Sequence, residues 1–148
     1  KGVTPTAVLL THGHFDHIGA LAGVKKEYPE IRVYAAAEEK EVMESPALNL
    51  SSSFGAAFTA QADIYLEDGA EIEVLGRKCK CLLVPGHTKG GMCYYFPEEH
   101  VVFTGDTLFC YSVGRTDFPT GDAKALEDAI REKLFVLRSC FRDMMHRQ

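Results

Sequence analysis

Three histidines and one aspartate lie within six residues near the start of the chain, at His12, His14, Asp16 and His17. Neutral imidazole and carboxylate groups are ligands that suit zinc and iron. The apolar run 7–10 comes directly before the cluster and predicts a strand, followed by a tight loop in which the four side chains converge. The cluster therefore predicts a metal site, which its density favours over four unrelated polar residues in a surface turn.

Two later stretches repeat the arrangement of an apolar run followed by a loop that contains glycine. His87 follows the run 82–84, and Asp106 follows the run 101–103. Glycine beside each polar residue permits a sharp turn and a close approach of a ligand. Either residue alone is typical of an ordinary turn. Together with the first cluster they predict a site at one edge of a sheet, with ligands from three strand ends.

The remaining pattern alternates short strands with helices, which predicts a layered α/β architecture. Residues 48–61 have no clear period, and their length and position make them a candidate active-site flap. The predicted strands are 6–10, 31–35, 62–66, 71–75, 78–84, 92–96 and 101–104, and the predicted helices are 18–28, 37–43 and 122–137.

Composition is that of an ordinary globular enzyme. With 148 residues and 46% hydrophobic content, the chain can form one core, which predicts a single domain over 1–148. The formal charge of −5, with scattered Lys and Arg, gives no basic patch for nucleic acid or an anionic membrane. Since no apolar segment has the length of a membrane span and the first ten residues do not resemble a signal peptide, no membrane partner is expected.

Cysteine usage points to a reducing compartment. The five cysteines are an odd number at irregular spacing, which disfavours a disulfide framework and predicts a cytoplasmic location. Cys79 and Cys81 face the same side of a predicted strand. We expect them to be buried free thiols, with a zinc site as the alternative.

The motif His12-x-His14-x-Asp16-His17 resembles the signature of the metallo-β-lactamase fold superfamily of hydrolases. Segments 85–90, 103–109 and 114–118 are similar to the glyoxalase II (hydroxyacylglutathione hydrolase) branch, and the resemblance extends from about residue 5 to residue 137. It implies an α/β fold, the four-layer αβ/βα sandwich of that superfamily.

The resemblance also implies a binuclear metal site, with two zinc ions expected and iron or manganese as alternatives. The positions matching the ligands of one metal are His12, His14 and His87; Asp16 and His17 match the second site, and Asp106 matches the bridging residue. A hydroxide held between two metals would attack a thioester or ester carbonyl, with Asp16 and Asp106 as catalytic residues. Candidate substrate contacts in nearby loops are Lys89, Tyr111 and Arg115, for which an ordinary loop role is equally compatible with the sequence.

Both ends of the chain depart from the family pattern. Family members have further strands before the first motif, and a later strand leads to a Gly-His-Gly element that carries the last histidine. We therefore expect a domain that is partial at both ends, without its first strands and last ligand strand. His146 lies at a similar distance downstream but lacks the glycines and the preceding strand, so it is a weak candidate ligand.

These features predict a metal-dependent hydrolase of glyoxalase II type that acts on a small-molecule acyl thiol. Glutathione itself is disfavoured because the chain has no room for the helical region that contacts it in the family. One alternative is a persulfide dioxygenase-like enzyme, with one iron held by the residues matching His12, His87 and Asp106. Another is a truncated binding module without activity. The sequence does not predict the oligomeric state.

Overall fold

A computed structural model describes residues 2–137, so His146 and Cys140 lie outside the described part of the chain. The strands are β1 (Ala7–Leu9), β2 (Arg32–Ala36), β3 (Ile64–Leu66), β4 (Glu71–Val74), β5 (Arg77–Leu83), β6 (Met92–Phe96), β7 (Val101–Phe103), β8 (Leu108–Phe109) and β9 (Ser112–Val113). The α-helices are α1 (Phe15–Ile18), α2 (Leu21–Glu27), α3 (Lys40–Met43) and α4 (Ala123–Ala129). Short 3₁₀ turns occupy Ala37–Glu39, Ser51–Phe54 and Gly105–Thr107, and a π-helical turn occupies Ile130–Leu134.

The strands form two main sheets. Strands β1, β2 and β3 pair in parallel, and the helices between them supply the crossovers that parallel pairing requires. Strands β4 to β7 form an antiparallel sheet in chain order. Strands β8 and β9 make a separate hairpin.

Three apolar clusters separate four layers. The first packs α1, α2 and α3 onto the parallel sheet, with Ile18 and Val33 in its centre. The second lies between the two sheets and contains Cys81 and Tyr94. The third packs α4 onto the outer face of the antiparallel sheet through Leu126. This order of helices, sheet, sheet and helix confirms the αβ/βα sandwich expected from the sequence.

The predicted helix 18–28 is wrong at its start and in its continuity. His14 is extended and its carbonyl accepts the N–H groups of His17 and Ile18, so α1 already begins at Phe15. Asp16 and His17 therefore lie on a helix and not in a loop. The helix is interrupted between α1 and α2 at residues 19–20, although both residues keep right-handed helical φ and ψ angles. The spacing of apolar residues does not reveal such an interruption.

The predicted helix 122–137 is correct in place and wrong in type at its end. Asp122 caps α4 by accepting the N–H of Ala125 at 2.9 Å. Leu126, Ile130 and Leu134 are buried on one face, but the last two residues belong to the π-helical turn. The β8–β9 hairpin was not predicted, because two-residue strands are too short to show a period.

Residues 48–61 pack beside the loop that carries the first histidines. The carbonyl of Asn49 accepts the N–H of Phe15 at 2.8 Å, and the buried Asn49 amide donates to the carbonyl of Phe58 at 2.9 Å. The rings of Phe15 and Phe54 stack with centroids 4.5 Å apart. The segment thus borders the predicted site, and its role as a flap stays a prediction.

Two further sequence expectations concern the thiols and the membrane. Cys79, Cys81 and Cys93 are buried free thiols, and Cys110 is an exposed one. Among residues 2–137, no helix has both the length and the apolar character needed to span a membrane.

Candidate metal centre

The predicted ligands converge because three strands end at the same edge. Strands β5 and β7 both run antiparallel to β6, so their ends lie at one edge and deliver His87 and Asp106 there. Two hydrogen bonds fix the end of β1 against β6: Met92 N–H donates to the Thr11 carbonyl, and the Tyr94 hydroxyl donates to the Leu10 carbonyl, each at 2.8 Å. The histidine loop that follows β1 therefore meets the other two loops.

One group of possible ligands consists of the buried side chains of His12, His14 and His87, whose ligand atoms all lie within 4.8 Å of one another. Nδ1 of His14 and Nε2 of His87 are 3.1 Å apart. Bonds of about 2.0–2.1 Å in a tetrahedral zinc site place two nitrogens roughly 3.3 Å apart, so this spacing suits a metal.

Burial leaves this group ready to bind a cation. Burial, with a smaller contribution from the neighbouring histidines, lowers the pKa of His12 to about 2. Burial also lowers the pKa of His14 to about 4, with His87 as the next cause. Both imidazoles are therefore neutral, the form that coordinates metals. Nε2 of His12 is buried without a hydrogen-bond partner in the described structure, and a bound metal would give this nitrogen a partner. The residues fit a metal.

His87 is oriented by the loop that follows β9. Its Nδ1 lies 2.7 Å from the carbonyl oxygen of Arg115, which can only accept. In the neutral ring this places the proton on Nδ1 and leaves the Nε2 lone pair facing His14. The loop comes this close because Gly114 has no side chain: a Cβ there would lie 1.7 Å from the carbonyl oxygen of Asp106.

A second group consists of His12, His17 and Asp106. Oδ1 of Asp106 lies 3.6 Å from Nε2 of His17, and Oδ2 lies 3.8 Å from Nε2 of His87. The carboxylate thus presents one oxygen to each histidine group. Gly105 makes this placement possible, since it has a φ of +51° and a Cβ there would meet the Thr11 side chain at 2.4 Å.

Asp16 lies at the outer side of the second group. Its Oδ2 is 3.7 Å from Nε2 of His17, and its side chain is 59% exposed. It is close enough to His17 to join a site there but does not belong to the set of mutually close atoms.

The three predicted substrate contacts lie in loops around the centre. Lys89 pairs with Glu41. Arg115 pairs with Asp117 at 2.7 Å and is largely exposed. Tyr111 is 89% exposed in the turn between β8 and β9.

The structure adds aromatic residues that the sequence analysis missed. Phe118 meets the ring of His14 edge to face, with centroids 5.6 Å apart, and the Arg115 guanidinium lies 4.0 Å above the Phe118 ring. The Phe15–Phe54 stack borders the same histidine loop. Phe15 lies between the candidate ligands His14 and Asp16 in the sequence, and this position was the one feature that could have predicted aromatic residues beside the site.

A buried carboxylate also escaped the sequence analysis. Glu39 is 1% exposed; its Oε1 accepts the Gly13 N–H at 2.7 Å and its Oε2 accepts the Thr88 hydroxyl at 2.9 Å. Burial raises its pKa, and the hydrogen bonds from Gly13 and Thr88 oppose that rise. The surrounding sequence 38–41 is highly charged and gave no sign that one of its glutamates is buried.

Comparison with known proteins gives a family. The profile described as "Metallo-beta-lactamase superfamily" matches residues 1–141. Among curated relatives, "Probable metallo-hydrolase YqgX" of Bacillus subtilis is 40% identical over 139 residues, which are 93% of this chain and 65% of the relative. "Hydroxyacylglutathione hydrolase GloC" of Haemophilus influenzae is 35% identical over 136 residues, 88% of this chain and 62% of the relative. The chain therefore spans less than two thirds of the length of these relatives.

Solved structures agree with the profile. The BLEG-1 B3 metallo-beta-lactamase superposes with a TM-score of 0.84 at 40% identity, covering 91% of this chain and 66% of the other. TTHA1623 in a di-iron-bound form superposes with a TM-score of 0.77 at 36% identity, with the same coverage. With a profile that matches nearly its whole length, the chain belongs to the metallo-beta-lactamase superfamily.

Proposed function

We propose that the chain is a metal-dependent hydrolase that cleaves a small thioester or ester, with S-acylated small thiols as the favoured substrates. The observation that carries the proposal is the placement of Asp106 between two groups of histidines, one oxygen toward each. The similarity to a relative named hydroxyacylglutathione hydrolase supports thioester cleavage.

In this proposal two metals bind at the centre. His12, His14 and His87 would hold one of them, Asp16 and His17 would hold the other, and Asp106 would contribute from its place between the two groups. Two divalent metals lower the pKa of bound water and polarise a carbonyl, so they supply a nucleophile at neutral pH and stabilise the oxyanion. Zinc suits imidazole and carboxylate ligands, and iron is the alternative in view of the di-iron form of TTHA1623.

The reaction is an addition of water across the acyl–sulfur bond. The water oxygen forms a bond to the carbonyl carbon, the carbon–sulfur bond breaks, and a carboxylic acid and a free thiol are released. Asp16 and Asp106 flank Nε2 of His17 at 3.7 and 3.6 Å, so they are the carboxylates placed to orient the attacking water and take up its proton. That proton then passes to the departing sulfur.

The surroundings support an apolar acyl group. Phe118 and the stacked pair of Phe15 and Phe54 offer aromatic surface beside the histidine loop. Lys89 and Arg115 are proposed to meet polar ends of the substrate. Such contacts would bind the substrate away from the reacting atoms, so we expect substitution of Lys89 or Arg115 to change KM more than kcat.

We further propose that the enzyme works in the cytoplasm. Cys79, Cys81 and Cys93 are buried and form no disulfide within residues 2–137, which fits the usual state of thiols in a reducing compartment.

The test is hydrolysis of small acyl thioesters by the purified 148-residue chain reconstituted with zinc. We expect His87→Ala and Asp106→Ala each to lower kcat/KM by about 100-fold or more, because each removes a proposed ligand. His100→Asn is the matched control: His100 is exposed, and Asn tolerates its positive φ of +54°.

Two outcomes contradict the proposal. Variants as active as the wild-type chain show that the centre does not carry the reaction. Oxygen uptake with a persulfide, without thioester cleavage, assigns the chain to the dioxygenase-like alternative.

A second candidate function is β-lactam hydrolysis, which the similarity to the BLEG-1 B3 metallo-beta-lactamase favours. A chromogenic cephalosporin in the same assay compares the two. Turnover of the cephalosporin with a kcat/KM above that of every thioester tested makes β-lactams the better substrates.

A further inference from the structure

Glu39 connects the two loops that carry the first histidine group. Its Oε1 accepts the N–H of Gly13, the residue between His12 and His14, at 2.7 Å. Its Oε2 accepts the hydroxyl of Thr88, the residue after His87, at 2.9 Å. One carboxylate therefore joins a loop at the end of β1 to a loop at the end of β5.

The surroundings of Glu39 are shaped around its side chain. A Cβ on Gly90 would lie 2.4 Å from Oε2, and a Cβ on Gly13 would lie 3.2 Å from Oε1. The backbone N–H of Gly90 adds a further hydrogen bond to the carboxylate. A buried carboxylate without such donors would be strongly disfavoured, and here three donors from the two ligand loops stabilise the Glu39 carboxylate.

We infer that Glu39 is a positioning residue of the metal centre, which sets the separation of His12 and His14 from His87. It touches neither a proposed ligand side chain nor the reacting atoms, and it acts through the backbone of residue 13 and the hydroxyl of Thr88. The inference rests on the proposed metal centre, because its effect is the preformed spacing of three ligands. Residues that hold metal ligands in place typically change metal affinity about 10–100-fold when they are replaced.

The first test is cobalt binding to the full chain, with and without Glu39→Gln. The amide has the size of the carboxylate but presents an NH₂ group where the native oxygen accepts hydrogen bonds. We expect the Co²⁺ dissociation constant, followed by visible absorption, to rise about 10–100-fold and the band to shift. Glu38→Gln, with the same charge change in the same 3₁₀ turn, is the control and should bind as the wild-type chain does. If Glu39 only stabilised the fold, Glu39→Gln would lower the melting temperature of the metal-free chain and leave Co²⁺ binding as it is. Unchanged Co²⁺ affinity and absorption in this variant overturn the inference.

A second pair of variants decides the matter if Glu39→Gln does not fold. Thr88→Val keeps the shape of the side chain and removes the hydroxyl, whereas Thr88→Ser keeps the hydroxyl. We expect Thr88→Val to weaken Co²⁺ binding and Thr88→Ser to retain it. Equal dissociation constants for the two overturn the inference.

The outcomes for Glu39 and for the proposed function are separable. Tight Co²⁺ binding that depends on Glu39, in a chain that cleaves no thioester, refutes the proposed reaction and keeps the positioning role. Thioester cleavage by a chain whose Co²⁺ binding does not depend on Glu39 supports the proposed reaction and refutes the positioning role.

Discussion

Gly114→Ala is the single-atom change that should disturb the metal centre most. The new Cβ would lie 1.7 Å from the carbonyl oxygen of Asp106 and 3.4 Å from Nδ1 of His87. Ordinary contact between such atoms needs about 3.5 Å, so the two backbone segments must separate by roughly 1.5–2 Å. That movement displaces the loop whose Arg115 carbonyl orients His87, together with Asp106 itself.

The expected cost follows from the nature of the clash. Overpacking by one methyl typically costs about 1–3 kcal/mol, and a collision with backbone, which cannot rotate away, belongs at the upper end. We therefore expect the free energy of unfolding of the metal-free chain to fall by about 3 kcal/mol, and the zinc dissociation constant to rise about 10-fold or more.

Urea unfolding followed by circular dichroism measures the first effect, and competition with a chelator measures the second. Gly23→Ala is the matched control, because a Cβ there meets nothing within 4 Å and Gly23 lies in the exposed face of α2. That change should stabilise the chain by about 0.5–1 kcal/mol. A Gly114→Ala chain with the stability and zinc affinity of the wild type would refute the close approach on which the geometry of the site depends.

Three further predictions concern stability. Tyr94→Phe removes the hydroxyl that donates to the buried Leu10 carbonyl, and we expect urea unfolding to show a loss of about 1–2 kcal/mol. Asp122→Ala removes the cap of α4 and should cost about 1 kcal/mol in the same measurement, whereas Asp122→Asn should cost less. Burial lowers the folded-state pKa of His12 to about 2 and that of His14 to about 4, so just below pH 6.5 only the unfolded chain binds protons at these two rings. Acid titration of the metal-free protein should therefore show the free energy of unfolding falling by about 2–3 kcal/mol per pH unit as the pH drops from 6.5 toward 4. A flat profile in that window contradicts the burial of His12 and His14 as neutral rings.

The sequence was sufficient to predict the convergence of the ligands. Histidines at 12, 14 and 17 follow one apolar run, and His87 and Asp106 each follow another. Since strand ends at one edge must lie near each other, residue type and position predicted one site there, and the structure brings His12, His14 and His87 within 4.8 Å of one another. The division into two metal sites came from the resemblance to the superfamily, and the second group in the structure contains His12, His17 and Asp106 without Asp16. The layered α/β fold followed from the same runs.

What the sequence could not show depends on tertiary contacts. Glu39 stands in a charged stretch and is recognisable only from the loops that surround it. The early start of α1 at Phe15 depends on the carbonyl of His14 accepting two N–H groups, and no period reveals that. The pairing of Lys89 with Glu41 likewise needed coordinates.

Metal content of the purified 148-residue chain tests the central claim most directly. After zinc reconstitution and removal of free metal, inductively coupled plasma mass spectrometry should find between about one and two equivalents per chain, with the Asp16 and His17 site the less occupied of the two. Asp106→Ala, which removes the carboxylate placed between the two groups, should bind the least. Less than about a tenth of an equivalent in the folded wild-type chain would contradict the account, because the buried, unpartnered Nε2 of His12 would then have no cation to bind.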